Sequence, residues 1–277
     1  MIGEINNVSV EEKNDIDRCS DAISSIKIVS DTLVCVRLRC DEHAKLLDLS
    51  EELKTMKTRC FDLTISRNGD FVLSNWIKRC ITILTIDEET VRTIDTNPLH
   101  PTYITKTEND DILVTLRDDG DRFNLTPTSR RIVRRMTLTG KVLHTYEFRE
   151  DGKTRLFTLP GRTAENKNND ICVVDKLSKD HGQLVVLHTS GEMKISYTGD
   201  GPKCGKIFPV DVHCDGKCRI LFTEYHSRAI HMLNAEGMFL CELCQYKLLR
   251  PYVISIHGDN LWCGFDKGRV KVFKYTK

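Results

Sequence analysis

The sequence has no long hydrophobic run and almost no imbalance of charge. None of its windows reaches the roughly 18 consecutive apolar residues that a membrane-spanning helix needs. Its first 19 residues are polar and acidic, unlike the basic and then apolar start of a secretory signal peptide. Its 41 basic and 40 acidic residues leave a net charge of +1, whereas nucleic-acid binding usually requires a basic excess or a segregated basic face. We therefore expect a cytoplasmic protein that does not associate with membranes.

The sequence also lacks the residue patterns of common metal and catalytic sites. Cys241 and Cys244 have C-x-x-C spacing, but no second pair completes a tetrahedral site, and residues three apart in a strand point to opposite faces. Asp118, Asp119 and Asp121 resemble the start of a calcium loop, but the late glutamate is missing. The nine histidines are not accompanied by a G-x-S-x-G nucleophile motif. These absences predict no bound metal, no cofactor and no catalytic residue.

What the sequence does contain is an internal repeat. Six stretches each have an apolar run, a short polar segment and a second apolar run, as in FVLSNWIKRCITILTI and ILFTEYHSRAIHML. The second runs are about 34 to 52 residues apart, which brackets the roughly 40–50 residues of one four-stranded propeller blade. They begin near Lys45, Arg79, Arg131, Gln183, Arg228 and Arg269. The repeat therefore predicts six units of antiparallel strands.

Turn residues mark the ends of these units. Asn68-Gly69 and similar pairs tolerate the positive φ of tight hairpin turns. We predict an all-β fold, a six-bladed β-propeller of NHL or WD40 type over residues 24–277, preceded by an N-terminal segment 1–23. A strand near residues 5–10 would complete the sixth blade, close the ring and remove open sheet edges. The predicted blades cover 24–60, 61–98, 99–148, 153–200, 207–247 and 250–277.

One segment has a conflicting periodicity. Apolar residues recur at helical spacing between Leu46 and Met56, in AKLLDLSEELKTM, which taken alone predicts an amphipathic helix. The place of this segment in the repeat predicts two strands and a turn instead. We adopt the two-strand interpretation, and a helix across 44–57 would contradict the repeat.

The repeat resembles that of NHL propellers, in which an acidic residue closes one strand and Asn-His-Arg opens the next. The segments EYHSR from Glu224 and NWIKR from Asn75 match best, and Asp266 begins a shortened version. The first and third blades depart from the pattern, with Arg37 and Arg117 where an acid is expected. As a whole, residues 24–277 resemble the C-terminal region of tripartite-motif (TRIM-NHL) proteins, especially divergent molluscan members.

This resemblance implies a role in binding. In that family the propeller recognises a partner protein or an RNA, and a separate RING domain transfers ubiquitin. Before residue 30 the present sequence has one cysteine, Cys19, and no histidine, so we expect no RING or B-box and no ubiquitin transfer. We therefore predict a non-catalytic protein-interaction module, not an enzyme, that recognises a substrate or adaptor in ubiquitination and binds a protein or peptide.

Two alternatives remain open. The first is binding of single-stranded RNA, which needs a basic face with interleaved aromatic residues. The second is a metal-dependent hydrolase, because other six-bladed propellers hold a cation in the central channel. Asn75, Asp175 and Glu224 end equivalent strands and are the candidate ligands. Arg37 and Arg117 at the same position in other blades would repel a cation.

Candidate binding residues come from the segments between the core strands. Trp76 and Tyr225 occupy equivalent segments, where exposed aromatic side chains would contact a peptide or a base. The long insertion 118–130 is acidic and then basic, as in a recognition loop, or else it is a solvated insertion. The repeated acid–arginine pairs are more simply structural, each holding its own loop by a bidentate contact. The predicted partner-binding residues are Trp76, Lys78, Arg79, Arg122, Arg130, Arg131, Tyr225, His226, Arg228, Lys267 and Arg269.

Overall fold

The computed structural model describes residues 9–17, 21–29, 33–48, 54–199, 205–244 and 247–276. Within these ranges the regular secondary structure consists of 24 β-strands, which we number β1 to β24 in chain order. The strands form six antiparallel sheets of four strands each. In the same ranges no helix is long and apolar enough to cross a membrane.

Each sheet is one blade, and its four strands are given below in order from the centre of the ring outward. Blade one contains β2 (Ile23–Ile28), β3 (Leu33–Leu38), β4 (His43–Asp48) and β5 (Lys54–Arg59). Blade two contains β6 (Asp62–Ile65), β7 (Phe71–Asn75), β8 (Cys80–Leu84) and β9 (Thr90–Asp95). Blade three contains β10 (His100–Lys106), β11 (Ile112–Arg117), β12 (Arg131–Met136) and β13 (Val142–Tyr146). Blade four contains β14 (Pro160–Glu165), β15 (Ile171–Lys176), β16 (Gly182–Leu187) and β17 (Met193–Tyr197). Blade five contains β18 (Pro209–Cys214), β19 (Ile220–Glu224), β20 (Ala229–Leu233) and β21 (Phe239–Leu243). Blade six contains β22 (Pro251–His257), β23 (Asn260–Phe265), β24 (Arg269–Thr276) and, outermost, β1 (Ser9–Asp17).

The innermost strands of neighbouring blades contact each other around the ring. β2 contacts both β6 and β22, β10 contacts β6 and β14, and β18 contacts β14 and β22. These six strands therefore line a central channel. The segments that lead into them, and those that join the second and third strands of each blade, meet on one face of the ring.

The sixth blade is completed by a strand from the other end of the chain. β1 pairs antiparallel with β24 from Ser9 to Asp17. The ring is thereby closed without an open edge between its first and last blades. The prediction of an all-β, six-bladed propeller closed by an N-terminal strand is confirmed. Of the predicted strand at 5–10, residues 5–8 lie outside the described ranges.

Two strands, β4 and β5, occupy the segment with helical periodicity. Their pairing confirms the two-strand interpretation for the described part of the segment. Residues 49–53 lie outside the described ranges. Leu46 and Met56 are buried in the contact between blades one and two, together with Leu63 and Leu73. Burial between two sheets thus explains the apolar residues that alone would have predicted a helix.

The hydrophobic core lies between neighbouring blades. Between blades two and three, for example, Val72 and Ile81 pack in one buried cluster with Ile104 and Val114. Middle strands such as β11 and β20 are buried along nearly their whole length, whereas the outer strand β9 is mostly exposed. Continuous apolar runs therefore mark the middle strands, as the repeat predicted.

In blades two, five and six the segment between the second and third strands turns at a residue with positive φ. Arg79 (φ 50°) and Arg228 (φ 57°) adopt this conformation directly before β8 and β20. In blade six the residue in this position is Gly268 (φ 76°), which tolerates it without steric strain. Gly268, and not Arg269, is therefore the structural equivalent of the two arginines, so the sequence alignment of blade six was shifted by one residue.

Candidate functional site

A cavity of about 1210 Å³ opens on the face of the ring where the second strands end. Among the described residues that line it, nine are arginine or lysine, two are acidic and seven are aromatic. The basic residues are Arg37, Arg39, Lys57, Arg59, Lys78, Arg117, Arg122, Lys176 and Lys179. A cavity of this composition favours an anionic ligand that also has apolar or ring-shaped parts.

Arg37 and Arg117 lie at the ends of the second strands of blades one and three. Arg37 donates hydrogen bonds to the carbonyl oxygen of Cys60 at 3.0 Å and to the hydroxyl of Ser24 at 2.8 Å. Arg117 donates to two backbone carbonyl oxygens of the insertion 118–130, at 3.0 and 2.9 Å. All four acceptors are neutral, so these contacts orient the guanidinium groups without neutralising their charge.

Two aromatic residues of blade two connect these arginines. The Cζ atom of Arg37 is 5.7 Å from the ring centroid of Phe61, and that of Arg117 is 5.2 Å from the ring centroid of Trp76. The Phe61 and Trp76 centroids are 6.0 Å apart. We call these four residues the arginine–aromatic row. It crosses three consecutive blades, so the packing of these blades against one another assembles it.

Lys176 and His226 lie on the side of the cavity formed by blades four and five. The Nζ atom of Lys176 is 5.4 Å from the ring centroid of Phe208, and the His226 ring centroid is 6.1 Å from the same point. His226 is exposed, and its Nε2 lies 2.7 Å from the carbonyl oxygen of Asp180, which can only accept a hydrogen bond. Nε2 therefore carries a proton, and in the neutral ring Nδ1 is a proton acceptor. A base and a cation thus flank one aromatic ring.

The two acidic residues of the cavity are already engaged. Glu42 pairs with Arg59 at 3.0 Å. Asp180 accepts hydrogen bonds from Ser178 and His181, which lower its pKa to about 2. Neither carboxylate therefore neutralises the remaining basic residues of the wall.

The central channel, next to the cavity, holds a buried cluster of ion pairs. Arg162 on β14 donates to Asp62 at 3.2 Å, lies 3.6 Å from Asp211, and donates to the carbonyl oxygen of Ser24. Its guanidinium also lies 4.8 Å from the ring centroid of Tyr103, a residue of the cavity wall. Burial lowers the pKa of Arg162, but the charges of Asp62 and Asp211 outweigh this effect and leave the pKa above its ordinary value. The cluster ties together the innermost strands of several blades.

The candidate metal ligands of the hydrolase alternative already accept hydrogen bonds from the backbone. Glu224 and Asp175 each accept hydrogen bonds from two backbone amides of neighbouring segments, and Asn75 accepts one from its own loop. In the described part of the chain no group of three or more His, Cys, Asp or Glu residues could hold a metal. The channel carboxylates, Asp62 and Asp211, already hold a guanidinium. Asn75, Asp175 and Glu224, the candidate ligands of the metal-dependent alternative, thus accept hydrogen bonds from backbone amides, and the described residues of the channel do not fit a cation.

A buried histidine fixes Trp76 at the edge of the cavity. The ring of His100 stacks on the indole with centroids 4.1 Å apart, and its Nδ1 lies 2.8 Å from the Trp76 carbonyl oxygen. Asp119 contacts His100 Nε2 at 2.5 Å and accepts a hydrogen bond from Arg79 at 2.7 Å. Arg79 therefore pairs with a carboxylate of the next blade and not with Asn75, as the repeat had suggested.

The structure brings together five of the predicted partner-binding residues in the cavity wall. They are Trp76, Lys78, Arg122, Tyr225 and His226. Arg79 lies behind them, in contact with His100. That any of these residues binds a partner stays a prediction.

Arg131 is wrongly predicted as a binding residue. Its side chain is completely buried and pairs with Asp118 at 2.6 Å, so it has no surface to offer a partner. It also donates to the carbonyl oxygen of Asp121. These contacts anchor the insertion 118–130, which in turn places Arg122 in the cavity wall.

The other predicted binding residues lie away from the cavity. Arg130 pairs with Glu147 at 2.6 Å. Arg228 donates to a backbone carbonyl oxygen of the segment that leads into blade six. Lys267 and Arg269, in blade six, are not among the described residues of the cavity wall. These four side chains therefore do not line the cavity, although the loops of Arg130 and Arg228 also carry Arg122 and Tyr225, which do.

Sequence reasoning missed the two end arginines of the row as site residues. Arg37 and Arg117 were recognised as departures from the acidic position of the repeat, which was the available signal. They were interpreted as degeneration because the sequence does not show that the two positions flank one cavity. Phe61 and Phe208 were missed because they stand just outside the core strands that define the repeat.

Comparison with solved structures places this architecture among six-bladed propellers. Virginiamycin B lyase from Staphylococcus aureus matches with a TM-score of 0.64 and 17% identity over 97% of this chain and 99% of that one. A catalytically inactive variant of that lyase with quinupristin matches with a TM-score of 0.64 and 16% identity, with the same coverage. A gluconolactonase from Xanthomonas campestris matches with a TM-score of 0.68 and 9% identity over 93% of this chain and 87% of that one. At these identities the likeness establishes the fold alone. No family model and no curated protein matches the sequence.

These comparisons correct three expectations. They give no support to membership of the TRIM-NHL family or to a molluscan origin, because the similar structures are lyase and lactonase propellers. The prediction of a non-catalytic interaction module serving ubiquitination is contradicted, since the matching propellers are enzymes. The prediction that the chain is not an enzyme is contradicted on the same ground.

Proposed function

We propose that this propeller is a hydrolase that opens small cyclic esters (lactones) in its basic and aromatic cavity. The observation that carries the proposal is the placement of a histidine base, His226, and a cation, Lys176, around the ring of Phe208. The similarity to a gluconolactonase and to a lyase supports a catalytic role. In that lyase, the variant with a histidine replaced by alanine is catalytically inactive.

In this proposal each of the two groups has one role. Nδ1 of His226 accepts a proton from water while the water oxygen attacks the carbonyl carbon of the lactone. Negative charge then develops on the carbonyl oxygen, where the ammonium group of Lys176 stabilises it. The bond between the carbonyl carbon and the ring oxygen breaks, and His226 returns the proton to that oxygen. One lactone and one water thus give one hydroxy acid.

The rest of the cavity binds and shields the substrate. Its aromatic side chains contact apolar parts of the ligand and keep bulk water from the reacting carbonyl. Its basic side chains attract a negatively charged substrate. Because the described residues do not fit a metal ion, no step is assigned to one.

Hydrolysis of a panel of lactones tests the proposal. The panel contains gluconolactone and the aromatic lactone dihydrocoumarin, and acid release is measured in water enriched in ¹⁸O. We expect turnover with one ¹⁸O in the new carboxylate, whereas an elimination would place none there. His226→Gln should lower kcat/KM by about 10²- to 10⁴-fold. Lys176→Met should lower it by about 10²-fold.

Matched substitutions outside the cavity serve as controls. His188→Gln and Lys141→Met change exposed residues of the same types in the hairpin turns of blades four and three. Both variants should retain full activity. Failure of every lactone to react above the uncatalysed rate, or full activity in His226→Gln, would contradict the proposal.

Binding of single-stranded RNA stays a prediction, for which the cavity offers arginine, lysine and partly exposed aromatic rings. An oligouridylate titration addresses it, since affinity carried by phosphates falls steeply with salt. Tight, salt-dependent binding together with absence of lactone turnover would favour RNA over the hydrolase.

A further inference from the structure

The positive charge of the cavity is concentrated on one side. Seven of its nine basic residues belong to blades one to three. The acidic residue of the cavity wall on that side, Glu42, is paired with Arg59 at 3.0 Å. A concave surface with such an excess of one charge raises the local concentration of ligands of the opposite charge.

Within this side, Arg37 and Arg117 are both held in place by hydrogen bonds to neutral oxygens. Their neutral hydrogen-bond acceptors fix both guanidinium groups, which lowers the entropy lost when each binds an anion. Burial, together with the guanidinium groups of Arg131 and Arg122, lowers the pKa of Arg117 from its ordinary value. A bound anion would relieve this repulsion between like charges.

Arg37 and Arg117 lie at opposite ends of a pair of aromatic rings, whose planes are tilted by 34°. Phe61 is in contact with the first arginine and Trp76 with the second, and the two rings are neighbours. His100 holds the indole from behind, so the position of Trp76 is fixed before any ligand binds. A ligand that satisfies both ends must therefore carry two anionic groups joined by a flat, largely apolar body.

We propose that the arginine–aromatic row binds a dianionic substrate, with one carboxylate or phosphate at Arg37, the other at Arg117, and the body of the molecule over Phe61 and Trp76. This inference rests on the proposed function, because it names the substrate class of the same cavity. The preferred lactone carries two acidic substituents and a planar ring system. Guanidinium groups recognise carboxylate and phosphate by paired hydrogen bonds, which explains arginine at both ends.

Calorimetric titration with unreactive probes tests the inference. Naphthalene-2,6-dicarboxylate has a flat apolar body with an anionic group at each end, and 2-naphthoate has the same body with one. We expect the dicarboxylate to bind at least 10-fold more tightly than the monoacid. Arg37→Gln and Arg117→Gln should each reduce its affinity to within about threefold of the monoacid.

Two further variants separate ligand contact from general charge and from folding. Arg59→Gln removes the same charge from the same side, but from an arginine already paired with Glu42, and should weaken dicarboxylate binding less than threefold. Arg37→Lys keeps a charge without the two orienting hydrogen bonds and should retain part of the preference. Circular dichroism and thermal unfolding verify that each variant is folded, and the comparison of the two probes on the unsubstituted protein needs no variant.

The outcomes for the two proposals are distinguishable. Equal affinity for the two probes would overturn the dianion inference, as would equal losses in Arg37→Gln, Arg117→Gln and Arg59→Gln. A strong preference for the dicarboxylate without lactone turnover would support the inference on the ligand class and contradict the proposed hydrolase. Turnover of neutral lactones with no preference between the probes would support the proposed hydrolase and contradict the inference on the ligand class.

Discussion

The central channel and the adjoining cavity both contain arginine, but the hydrogen-bond partners of the guanidinium groups differ between them. In the channel, Arg162 is almost completely buried and faces the carboxylates of Asp62 and Asp211. In the cavity wall, Arg37 and Arg117 are partly exposed and hydrogen-bonded to neutral oxygens. The guanidinium in the channel faces carboxylates, whereas the two guanidinium groups in the cavity wall face neutral oxygens.

This difference separates residues that hold the ring together from residues that await a ligand. A buried charge is tolerated only when it is paired, since transfer of an isolated ion out of water costs several kcal/mol. A partly exposed guanidinium donates its remaining hydrogen bonds to water, and it can exchange that water for an anion. The comparison predicts large losses of stability from changes in the channel and small ones from changes in the cavity wall.

The largest effect is expected when the guanidinium of the channel is removed. Arg162→Met leaves Asp62 and Asp211 buried near Lys27 but without the guanidinium that contacts them, and it should lower the free energy of unfolding by about 3–5 kcal/mol. Urea denaturation monitored by circular dichroism measures the loss. Adding Asp62→Asn and Asp211→Asn to Arg162→Met should restore most of the stability, and a further loss in the triple variant would contradict the ion-pair account.

A buried carboxylate without a cationic partner sharpens the comparison. Asp175 is buried and accepts a hydrogen bond from Gln183 at 2.9 Å, and burial raises its pKa to about 6 despite its hydrogen bonds. Because the folded state then binds the proton more tightly than the unfolded state, stability should fall as pH rises from about 4 through 6. The loss should reach at most about 3 kcal/mol above that range.

The substitution Asp175→Asn isolates this contribution. Urea denaturation of both proteins at pH 4.5, 5.5, 6.5 and 7.5 gives the difference in unfolding free energy between them. We expect the difference to change with pH, because the amide does not titrate. Parallel stability curves for the two proteins would show that the carboxylate is not responsible.

A cavity arginine should matter much less to stability than to binding. Arg117→Gln loses two hydrogen bonds to backbone carbonyl oxygens, but it also relieves the repulsion with Arg122 and Arg131. We expect the free energy of unfolding to change by about 1 kcal/mol or less. Thermal unfolding with Arg162→Met measured in parallel checks the contrast. Equal destabilisation by the two substitutions would break the distinction between channel and cavity.

The smallest effect is expected at the rim, where a paired arginine is not deeply buried. Arg79 pairs with Asp119 at 2.7 Å, and the two side chains are 34% and 69% exposed. Asp119→Asn should therefore cost about 0.2–1 kcal/mol, and added salt should shrink the difference. Indole fluorescence should shift at the same time, because Asp119 also contacts the histidine that stacks on Trp76.

The fold was predictable because the same pattern of apolar and polar residues recurs in every blade, and it recurs because every blade buries the same strands. Each blade needs two strands buried on both faces, so apolar runs recur at blade spacing and reveal the propeller even where individual motifs are weak. The segment between Leu46 and Met56 shows the strength of this argument. Local periodicity there predicted a helix, and the requirement for an outer strand in blade one outweighed it.

The site was only partly predictable. Trp76 and Tyr225, predicted because they occupy equivalent segments between core strands, lie in the cavity wall, as does His226. Arg131 follows the exposed Arg130 in sequence, but its own side chain is buried and pairs with Asp118 of the insertion 118–130. Sequence spacing reports which strand a residue belongs to, but not which neighbour neutralises it.

The sequence by itself determined the number of blades, the strands that are buried, and the positions at which the chain turns, because burial and turn geometry act on residues close together in the chain. Only the tertiary structure decided which charges are neutralised. Arg162 meets Asp62 across 100 residues of chain, and the arginine–aromatic row combines three blades. The energy of a charge depends on distances in space and on exclusion of water, and both are set when the ring closes.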